Sequence, residues 1–258
     1  IDSITDKYTK LKADLDFTFA DGTTHQVWAV SDNPDLNVLV DAFYDIPFVY
    51  IADGHHRAAS MAKMGLHKQA LNKERHTGTE GYNYFTTVYM NTREVKILEF
   101  NRLVRDLGDV NPQSLIGLLK KSFLIQESSD AVKPNQLHKI GMYFDKKWYM
   151  LEPKKEIYDE NDPVKALDVS IVQDYILGPI LNIKDPRTDA RITFEGGRIP
   201  VSELQLKVDN GLYALAFTLF PVSIDQVIAV ADVNGVMPPK STWVEPKFLV
   251  GLLTNYFN

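Results

Sequence analysis

Hydrophobic and polar residues alternate with the period of strands in some segments of the chain and with the period of helices in others. From residue 15 to residue 30, apolar side chains alternate with polar ones on both sides of Asp21-Gly22, which predicts a β-hairpin. After the capping cluster Ser31–Pro34 the apolar positions recur at helical spacing, which predicts a helix. Phe48–Ala52 is an unbroken apolar run, which is typical of a strand buried on both faces.

The remaining patterns divide the chain into two parts. A helix is expected from Gly54 to a C-cap at Gly65, and a turn cluster at Gly108–Pro112 predicts a domain boundary. The other expected elements are strands at Phe85–Met90, Val95–Phe100 and Leu212–Phe217, a hairpin of Ile140–Phe144 with Trp148–Leu151, and helices at Ser114–Lys121, Ala166–Leu181 and Ser223–Asn234. This order predicts an α/β domain over residues 1–109 and a mixed α+β domain over residues 110–258.

The composition is that of a folded protein and does not favour binding to nucleic acid. Of the 258 residues, 45% are hydrophobic and 24% are charged, and the net charge is −6, whereas a duplex-binding protein has a basic excess. No apolar stretch is long enough to span a membrane, and the first residues lack the pattern of a signal peptide. The absence of cysteine excludes disulfides, thiolate metal sites and cysteine nucleophiles. We therefore expect a cytoplasmic protein that binds or converts a small molecule.

Candidate chemistry is concentrated where the run Phe48–Ala52 meets the next predicted helix. Residues 49–59 are V-Y-I-A-D-G-H-H-R-A-A, so a carboxylate, a glycine, two histidines and an arginine follow one another. The first N–H groups of a helix bind anions, Gly54 lets a ligand approach the backbone, and Arg57 can donate two hydrogen bonds to a phosphate. Asp53 opposes an anion by charge, unless it holds Mg²⁺ or accepts the proton of a hydroxyl group.

Structural roles for the same residues are open alternatives. Asp53 and Asp32 could each be the N-cap of the helix that follows, and Arg57 could pair with a surface carboxylate. His55 and His56 are not expected to share a metal ion, because neighbouring residues of a helix point about 100° apart.

Two segments of the sequence resemble known proteins. Residues 50–65, Y-I-A-D-G-H-H-R-A-A-S-M-A-K-M-G, resemble the Asp-Gly-His-His-Arg motif of the archaeal ADP-dependent free L-serine kinases, in the ParB/sulfiredoxin superfamily. They resemble still more closely the hallmark A-D-G-H-H-R of the bacterial domain-of-unknown-function family 1015. The second landmark of that family, M-P-P-K-S-T, occupies Met237–Thr242 and is followed by Pro246-Lys247. The kinases have a similar Pro-Lys-Thr-Thr segment near the C-terminus.

The resemblance implies a ParB/sulfiredoxin-like phosphate-binding domain at residues 1–109, to whose site the C-terminal strip of residues 236–247 returns. Asp53 would act on the serine hydroxyl or on its metal, as catalytic residue and as ligand of Mg²⁺. Donor phosphate would be held by Gly54, His55, His56 and Arg57, and the amino acid or its phosphorylated product by Lys240, Ser241 and Thr242. Two positions differ from the kinase pattern. Trp243 replaces an arginine, and the place of the catalytic glutamate before the first helix is taken by Asp32 or Asp35, of which Asp32 is our candidate.

The function implied by the resemblance is that of a small-molecule kinase. It would transfer phosphate from ADP, ATP or pyrophosphate to free L-serine or a related hydroxyl compound. The alternative is a nucleotide-binding regulator of the ParB kind without kinase turnover, although the acidic charge and the lack of a helix-turn-helix signal argue against DNA as its partner. A degenerate structural domain is a third interpretation. Sulfiredoxin-like chemistry is excluded, because it needs a cysteine in this motif. The sequence leaves the donor, the acceptor and the oligomeric state open.

Overall fold

The computed structural model describes residues 1–247, 249 and 251–255 of the chain. These residues form a mixed helix–strand protein whose paired strands are all antiparallel. The chain divides into two compact units, residues 1–51 and residues 52–258. The domain boundary that the sequence places between residues 109 and 110 stays a prediction.

The unit of residues 1–51 consists of two helices and a hairpin. Helix α1 spans Asp2–Tyr8, strand β1 (Leu15–Thr18) pairs with β2 (Thr24–Val27), and helix α2 spans Asn33–Tyr44. The hairpin and α2 confirm the predictions made from the alternation and from the capping cluster. Within this unit Ile4 is the one buried apolar side chain, so the unit has almost no core of its own.

The strand predicted at residues 48–52 is wrong. The segment has no regular secondary structure, and residues 48–51 are each 36–68% exposed. An unbroken apolar run fits a strand only where two neighbouring strands cover it, and no strand of the described residues pairs with this one.

Helix α3 opens the second unit and spans His55–Leu71, so it continues past the C-cap predicted at Gly65. A Cβ at Gly65 would lie 2.9 Å from the carbonyl oxygen of Tyr82. Glycine is therefore needed here because another backbone segment comes close, and it does not end the helix. The strand predicted at residues 85–90 is also wrong, since these residues are irregular.

The remaining strands form two sheets. A two-stranded sheet pairs β3 (Lys96–Leu98) with β10 (Trp243–Glu245), and a six-stranded sheet has the order β5-β7-β6-β9-β4-β8. The six strands are β4 (Phe100–Val104), β5 (Phe123–Ser128), β6 (Ile140–Phe144), β7 (Lys147–Pro153), β8 (Ile192–Gly196) and β9 (Leu215–Thr218). The β6–β7 hairpin confirms its prediction.

Within the described residues, four helices follow strands of this sheet in the sequence. They are α4 (Pro112–Leu119), α5 (Asp168–Val172), α6 (Val201–Asp209) and α7 (Ile224–Asp232), of which α4 and α7 confirm predicted helices. The single helix predicted over Ala166–Leu181 is instead the short α5 followed by a π-helical turn at Gln173–Leu177.

Two buried apolar clusters lie on the two faces of the six-stranded sheet. Neighbouring residues of a strand point to opposite faces, and β4 places Val104 in the larger cluster and Leu103 in the smaller one. Helices α4 and α5 contribute to the larger cluster, and α6 contributes Leu204 to the smaller one. The sheet is therefore covered by buried apolar side chains on both faces.

Candidate functional site

The turn before α3 is held open by Gly54. Gly54 is the N-cap residue of the helix and has a φ of 86°, a left-handed conformation that residues with a Cβ avoid. A Cβ here would also come within 2.9 Å of the Arg57 guanidinium. The N–H of Gly54 donates a hydrogen bond of 2.8 Å to Oδ1 of Asp53. Asp53 therefore lies beside the cap and is not the N-cap itself.

The first turn of α3 presents unpaired N–H groups to solvent. Within the described part of the chain, the backbone N–H groups of His55, His56 and Arg57 have no hydrogen-bond acceptor, and all three residues are exposed. The helix is 17 residues long, so its dipole adds positive potential at this end. The arrangement can bind an anion.

Lys247, from the far end of the chain, contacts Asp53. Its Nζ lies 3.1 Å from Oδ2 of Asp53, and NH2 of Arg57 lies 3.9 Å from the same oxygen. Partial burial is the largest single influence on the pKa of Asp53 and raises it. The hydrogen bond and charge of Lys247, the Gly54 N–H and the charge of Arg57 together outweigh burial, so the pKa of Asp53 is lowered. A carboxylate that stays ionised in this way is a weak base and a good ligand for a cation.

The C-terminal segment reaches Asp53 after strand β10, where Trp243 packs against Phe100. Strand β10 pairs with β3, and the Trp243 ring lies 5.3 Å from that of Phe100 between ring centres. A Cβ at Gly196 would overlap the Trp243 indole, so glycine at this position makes room for the ring. Lys247 follows after a cis Glu245–Pro246 peptide, with Nζ 5.8 Å from the centre of the Trp243 ring.

The three predicted acceptor-binding residues lie earlier in the same segment. Lys240 is exposed, and its Nζ lies 5.3 Å from the centre of the Phe100 ring. Ser241 is buried and donates a hydrogen bond of 2.6 Å to the carbonyl oxygen of Pro238, and Thr242 is half-buried. Lys240 is linked to the Asp53 turn through Phe100, Trp243 and Lys247, in that order.

Asp32 and Asp35 lie in the unit of residues 1–51. Asp32 occupies the N-cap position of α2 but its side chain makes no capping hydrogen bond. Asp35 is buried and accepts hydrogen bonds from Lys7 at 2.6 Å and from Tyr8 at 2.9 Å. The hydrogen bond from Lys7 is the main cause that lowers the pKa of Asp35. Asp35 therefore has a structural partner, whereas the capping alternative for Asp32 lacks its hydrogen bond.

Asp53 offers a single carboxylate, which suits a cation whose other ligands are the phosphate oxygens of a substrate. No cluster of three or more histidine, aspartate or glutamate side chains that could hold a metal exists within the described residues. Mg²⁺ is commonly bound by one or two carboxylates together with substrate phosphates and water, so a single Asp53 fits that ion. Cavities of about 340 and 430 Å³, next to Tyr213 and Met150 respectively, contain none of the predicted site residues.

The structure thus brings Asp53, Gly54, Arg57 and Lys247 together around one turn. Lys247 is the residue that sequence reasoning did not assign. Its signal was present in the Pro246-Lys247 pair that follows the second landmark. Across the described residues, no helix is both long and apolar enough to cross a membrane.

Comparison with known proteins gives one family and several distant structures. The family model described as a protein of unknown function, DUF1015, matches residues 1–170, and no curated protein matches the sequence. A mutant free serine kinase in complex with AMP covers 83% of this chain and 81% of its own, at 13% identity and a TM-score of 0.41. A mutant free serine kinase in complex with ADP covers 84% and 82%, at 13% identity and a TM-score of 0.41. A conserved hypothetical protein from Pyrococcus furiosus covers 77% and 71%, at 15% identity and a TM-score of 0.41.

Proposed function

The chain belongs to the DUF1015 family of proteins of unknown function, and we propose that this member is a small-molecule kinase whose site is the Asp53 turn. The reaction is the transfer of a phosphoryl group from ADP, ATP or pyrophosphate to the hydroxyl oxygen of free L-serine or a related compound. The hydroxyl loses its proton, a new P–O bond forms, and the bond to the leaving phosphate breaks. We also propose that residues 1–109 form a ParB/sulfiredoxin-like domain.

One observation supports this function more than any other. An ionised carboxylate, Asp53, lies at the open start of a 17-residue helix with a lysine 3.1 Å away and an arginine 3.9 Å away. Phosphoryl transfer requires little covalent chemistry from the protein and depends on positioning and on neutralising the charge of the phosphates. Three free N–H groups, Arg57 and Lys247 offer that neutralisation.

Each residue has a proposed part in binding. Gly54, His55, His56 and Arg57 hold the donor phosphates, and the exposed ammonium of Lys240 pairs with the carboxylate of the acceptor. Ser241 and Thr242 form the wall beside Lys240, where the Ser241 hydroxyl is already directed to Pro238. Asp53 orients the acceptor hydroxyl or holds Mg²⁺, which would supply charge neutralisation between the phosphates. Asp32 stays our candidate for the proton acceptor.

A binding function without turnover is favoured by one feature of the same site. The lowered pKa of Asp53 makes this carboxylate a poor acceptor for a hydroxyl proton. If Asp32 does not accept that proton, the site would bind a nucleotide and release it unchanged.

A screen of donors against acceptors tests the proposal. ADP, ATP and pyrophosphate are each combined with L-serine and related hydroxyl compounds in the presence of Mg²⁺, and phosphorylated products are detected by mass spectrometry. Nucleotide binding is measured in parallel by calorimetry. Arg57→Ala should weaken donor binding about 10-fold or more, as expected when a charged hydrogen-bond donor is lost. Arg187→Ala, which removes an exposed arginine paired with Asp185, is the matched control.

The outcomes separate the two functions. Phosphoserine or a related product establishes the kinase. Nucleotide binding that depends on Arg57, without any product, establishes the regulator. Absence of both, with Arg57→Ala and Arg187→Ala behaving alike, overturns the assignment of the Asp53 turn as a phosphate site.

A further inference from the structure

A buried arginine outside the Asp53 turn is directed at the C-terminal segment. Arg102 lies on β4 and is 2% exposed. One guanidinium nitrogen donates a hydrogen bond to the carbonyl oxygen of Phe100, and NH2 donates to the carbonyl oxygen of Lys240 at 3.2 Å. The guanidinium carbon lies 5.5 Å from the centre of the Phe194 ring. Within the described residues, no carboxylate forms an ion pair with it.

A charged side chain is costly at this position. Burial lowers the pKa of Arg102 to about 9, so the group is still protonated at neutral pH. Its cross-strand neighbours are Phe194 and Phe217, between which an apolar side chain would pack without this cost. The charge therefore has no packing role that an apolar residue could not fill, and what it adds is the pair of hydrogen bonds to carbonyl groups.

The Lys240 carbonyl is the informative partner. It belongs to a residue 138 positions away in the sequence, so this hydrogen bond joins the central sheet to the C-terminal segment. Lys240 also has a φ of 56°, a left-handed conformation that is rare for a residue with a Cβ. Such a conformation persists where neighbouring groups hold it, and the Arg102 guanidinium is the group that holds the Lys240 carbonyl.

The backbone direction of the C-terminal segment is set at Lys240. The Lys240 conformation turns the backbone into Ser241 and Thr242 and then into β10, which ends two residues before Lys247. The Lys240 side chain lies against Phe100, whose own carbonyl is the second acceptor of Arg102. A single guanidinium thus fixes both sides of the contact between Lys240 and Phe100.

We propose that Arg102 is a positioning residue of the candidate site, which holds the Lys240–Thr242 strip in the geometry that binds the acceptor. The inference rests on the proposed kinase function for its catalytic consequence. Its structural part, that Arg102 fixes the strip, is independent of that function. Arg102 is only 2% exposed and donates a hydrogen bond to the Lys240 carbonyl, so we expect its loss to act on acceptor binding through Lys240.

Two variants test the proposal in the whole chain of 258 residues. Arg102→Met keeps a long side chain and removes the charge and the donors, and Arg102→Lys keeps the charge without the forked geometry. The amide exchange of Ser241, Thr242 and Val244 is followed by mass spectrometry, and KM is measured for donor and acceptor separately. Arg198→Ala is the matched control, because it removes a cation that pairs with Glu245 of the same segment at 2.9 Å but is itself exposed.

We expect Arg102→Met to speed amide exchange in the strip and to raise the acceptor KM about 10-fold, with the donor KM unchanged, as for the loss of a charged hydrogen bond. Arg102→Lys should restore part of both values, and Arg198→Ala should match the wild type. A purely structural role would lower the amount of active protein and leave both KM values alone.

Several results would overturn the proposal. They are wild-type exchange in the strip of Arg102→Met, equal changes in the two KM values, or an Arg198→Ala effect as large as that of Arg102→Met. If Arg102→Met does not fold, Arg102→Lys decides by the same two measurements. Should the wild type transfer no phosphate at all, faster exchange in Arg102→Met still supports the structural part, and the kinase function alone is lost.

Discussion

Asp53 is the residue on which the proposed chemistry depends most directly. Because Gly54 is the N-cap of α3, Asp53→Asn removes a charge without removing the helix cap. We expect phosphate transfer to fall by about 100-fold or more, because Asp53 is proposed to orient the acceptor hydroxyl or to hold Mg²⁺, and a misplaced reacting group costs a rate factor of this size. The free energy of unfolding should change by about 1 kcal/mol at most, because the ion pair of Asp53 with Lys247 is exposed.

Asp145→Asn is the control for this variant. Asp145 is an exposed aspartate at the tip of the β6–β7 hairpin, in a left-handed conformation that asparagine also adopts. Activity and stability should stay at the wild-type level. Equal activity of the Asp53 and Asp145 variants would mean that the Asp53 carboxylate has no part in transfer.

Lys247 is the main influence that lowers the pKa of Asp53. In Lys247→Ala, partial burial, which raises the pKa of Asp53, is opposed only by the Gly54 N–H and by Arg57, so this pKa should rise towards its ordinary value of 3.8. In the wild type the lowered pKa means that Asp53 adds stability above pH 3.8, and that this is lost as the pH falls through the lower folded value. Titration of the Asp53 carboxyl signal by NMR measures the shift.

A second lysine serves as the reference for that titration. Lys155→Ala removes an exposed lysine that pairs with Glu160 at 2.8 Å, and the Asp53 titration should be unchanged. An Asp53 pKa that is the same in Lys247→Ala and in the wild type would contradict the contact seen at 3.1 Å.

Among the elements, the loop after α3 shows how one carboxylate can organise a polar segment. Glu80 accepts hydrogen bonds from the N–H groups of Thr77 at 2.5 Å and Gly78 at 2.9 Å, and from the Asn83 side chain at 3.0 Å. The Thr77 N–H is the main cause that lowers the pKa of Glu80 to about 2. The turn before Gly81–Asn83 is built around this side chain.

Glu80→Gln should loosen that turn. The amide has only one oxygen acceptor, so the Thr77 and Gly78 N–H groups cannot both keep their bonds, and their exchange with solvent should become faster by about 10-fold or more. The wild-type turn should be intact above pH 4.5 and should be lost as the pH falls through about 2. NMR exchange rates of the two amides provide the measurement, and unchanged rates in Glu80→Gln would contradict the proposed role.

The helices and strands also show which elements a sequence pattern can predict. The β1–β2 hairpin and α2 were predictable because their signals, Asp21-Gly22 and Pro34, are local. Helix α7 also has a local start, which the structure shows to be a capping box of Ser223 with Gln226. The strands predicted at residues 48–52 and 85–90 were wrong, because an apolar run does not reveal whether a neighbouring strand exists. Gly65 was misassigned for the same reason, since the approach of the Tyr82 carbonyl is a tertiary contact.

At the scale of the whole molecule, the two compact units differ in the core that each contains. Both large buried clusters belong to residues 52–258, whereas residues 1–51 bury one apolar side chain, Ile4, and the Asp35 carboxylate. We expect a protein of residues 52–258 to unfold cooperatively and a peptide of residues 1–51 to be unfolded alone, because a chain this short with so little core cannot offset its conformational entropy.

Circular dichroism during heating tests both parts of this expectation. The longer fragment should show one sigmoidal transition, and the shorter one a gradual change without a transition. A cooperative transition in the isolated peptide would show that residues 1–51 have more internal stability than their burial indicates. The chain of residues 1–258, heated under the same conditions, is the reference.

The candidate site was only partly predictable, because some of its contacts join residues that are far apart in the sequence. Asp53, Gly54 and Arg57 are neighbours in sequence, so their type and order suffice to predict an anion-binding turn. Lys247 and Arg102 depend on β10 pairing with β3 and on β4 lying inside the sheet, which are tertiary facts. Lys240 was assigned from its motif, but its left-handed backbone could be found only in the structure.

The contact between Asp53 and Lys247 also indicates at which stage of synthesis and folding the site is completed. The two residues are 194 positions apart, and the loss of entropy on closing a loop grows with its length, so we expect the contact to form after the six-stranded sheet. During synthesis, the turn at Asp53 leaves the ribosome long before Lys247 exists. A nascent chain that stops short of Lys247 can already contain the whole six-stranded sheet and still lack this contact. The Asp53–Lys247 pair therefore marks the chains that have been both translated to this point and folded.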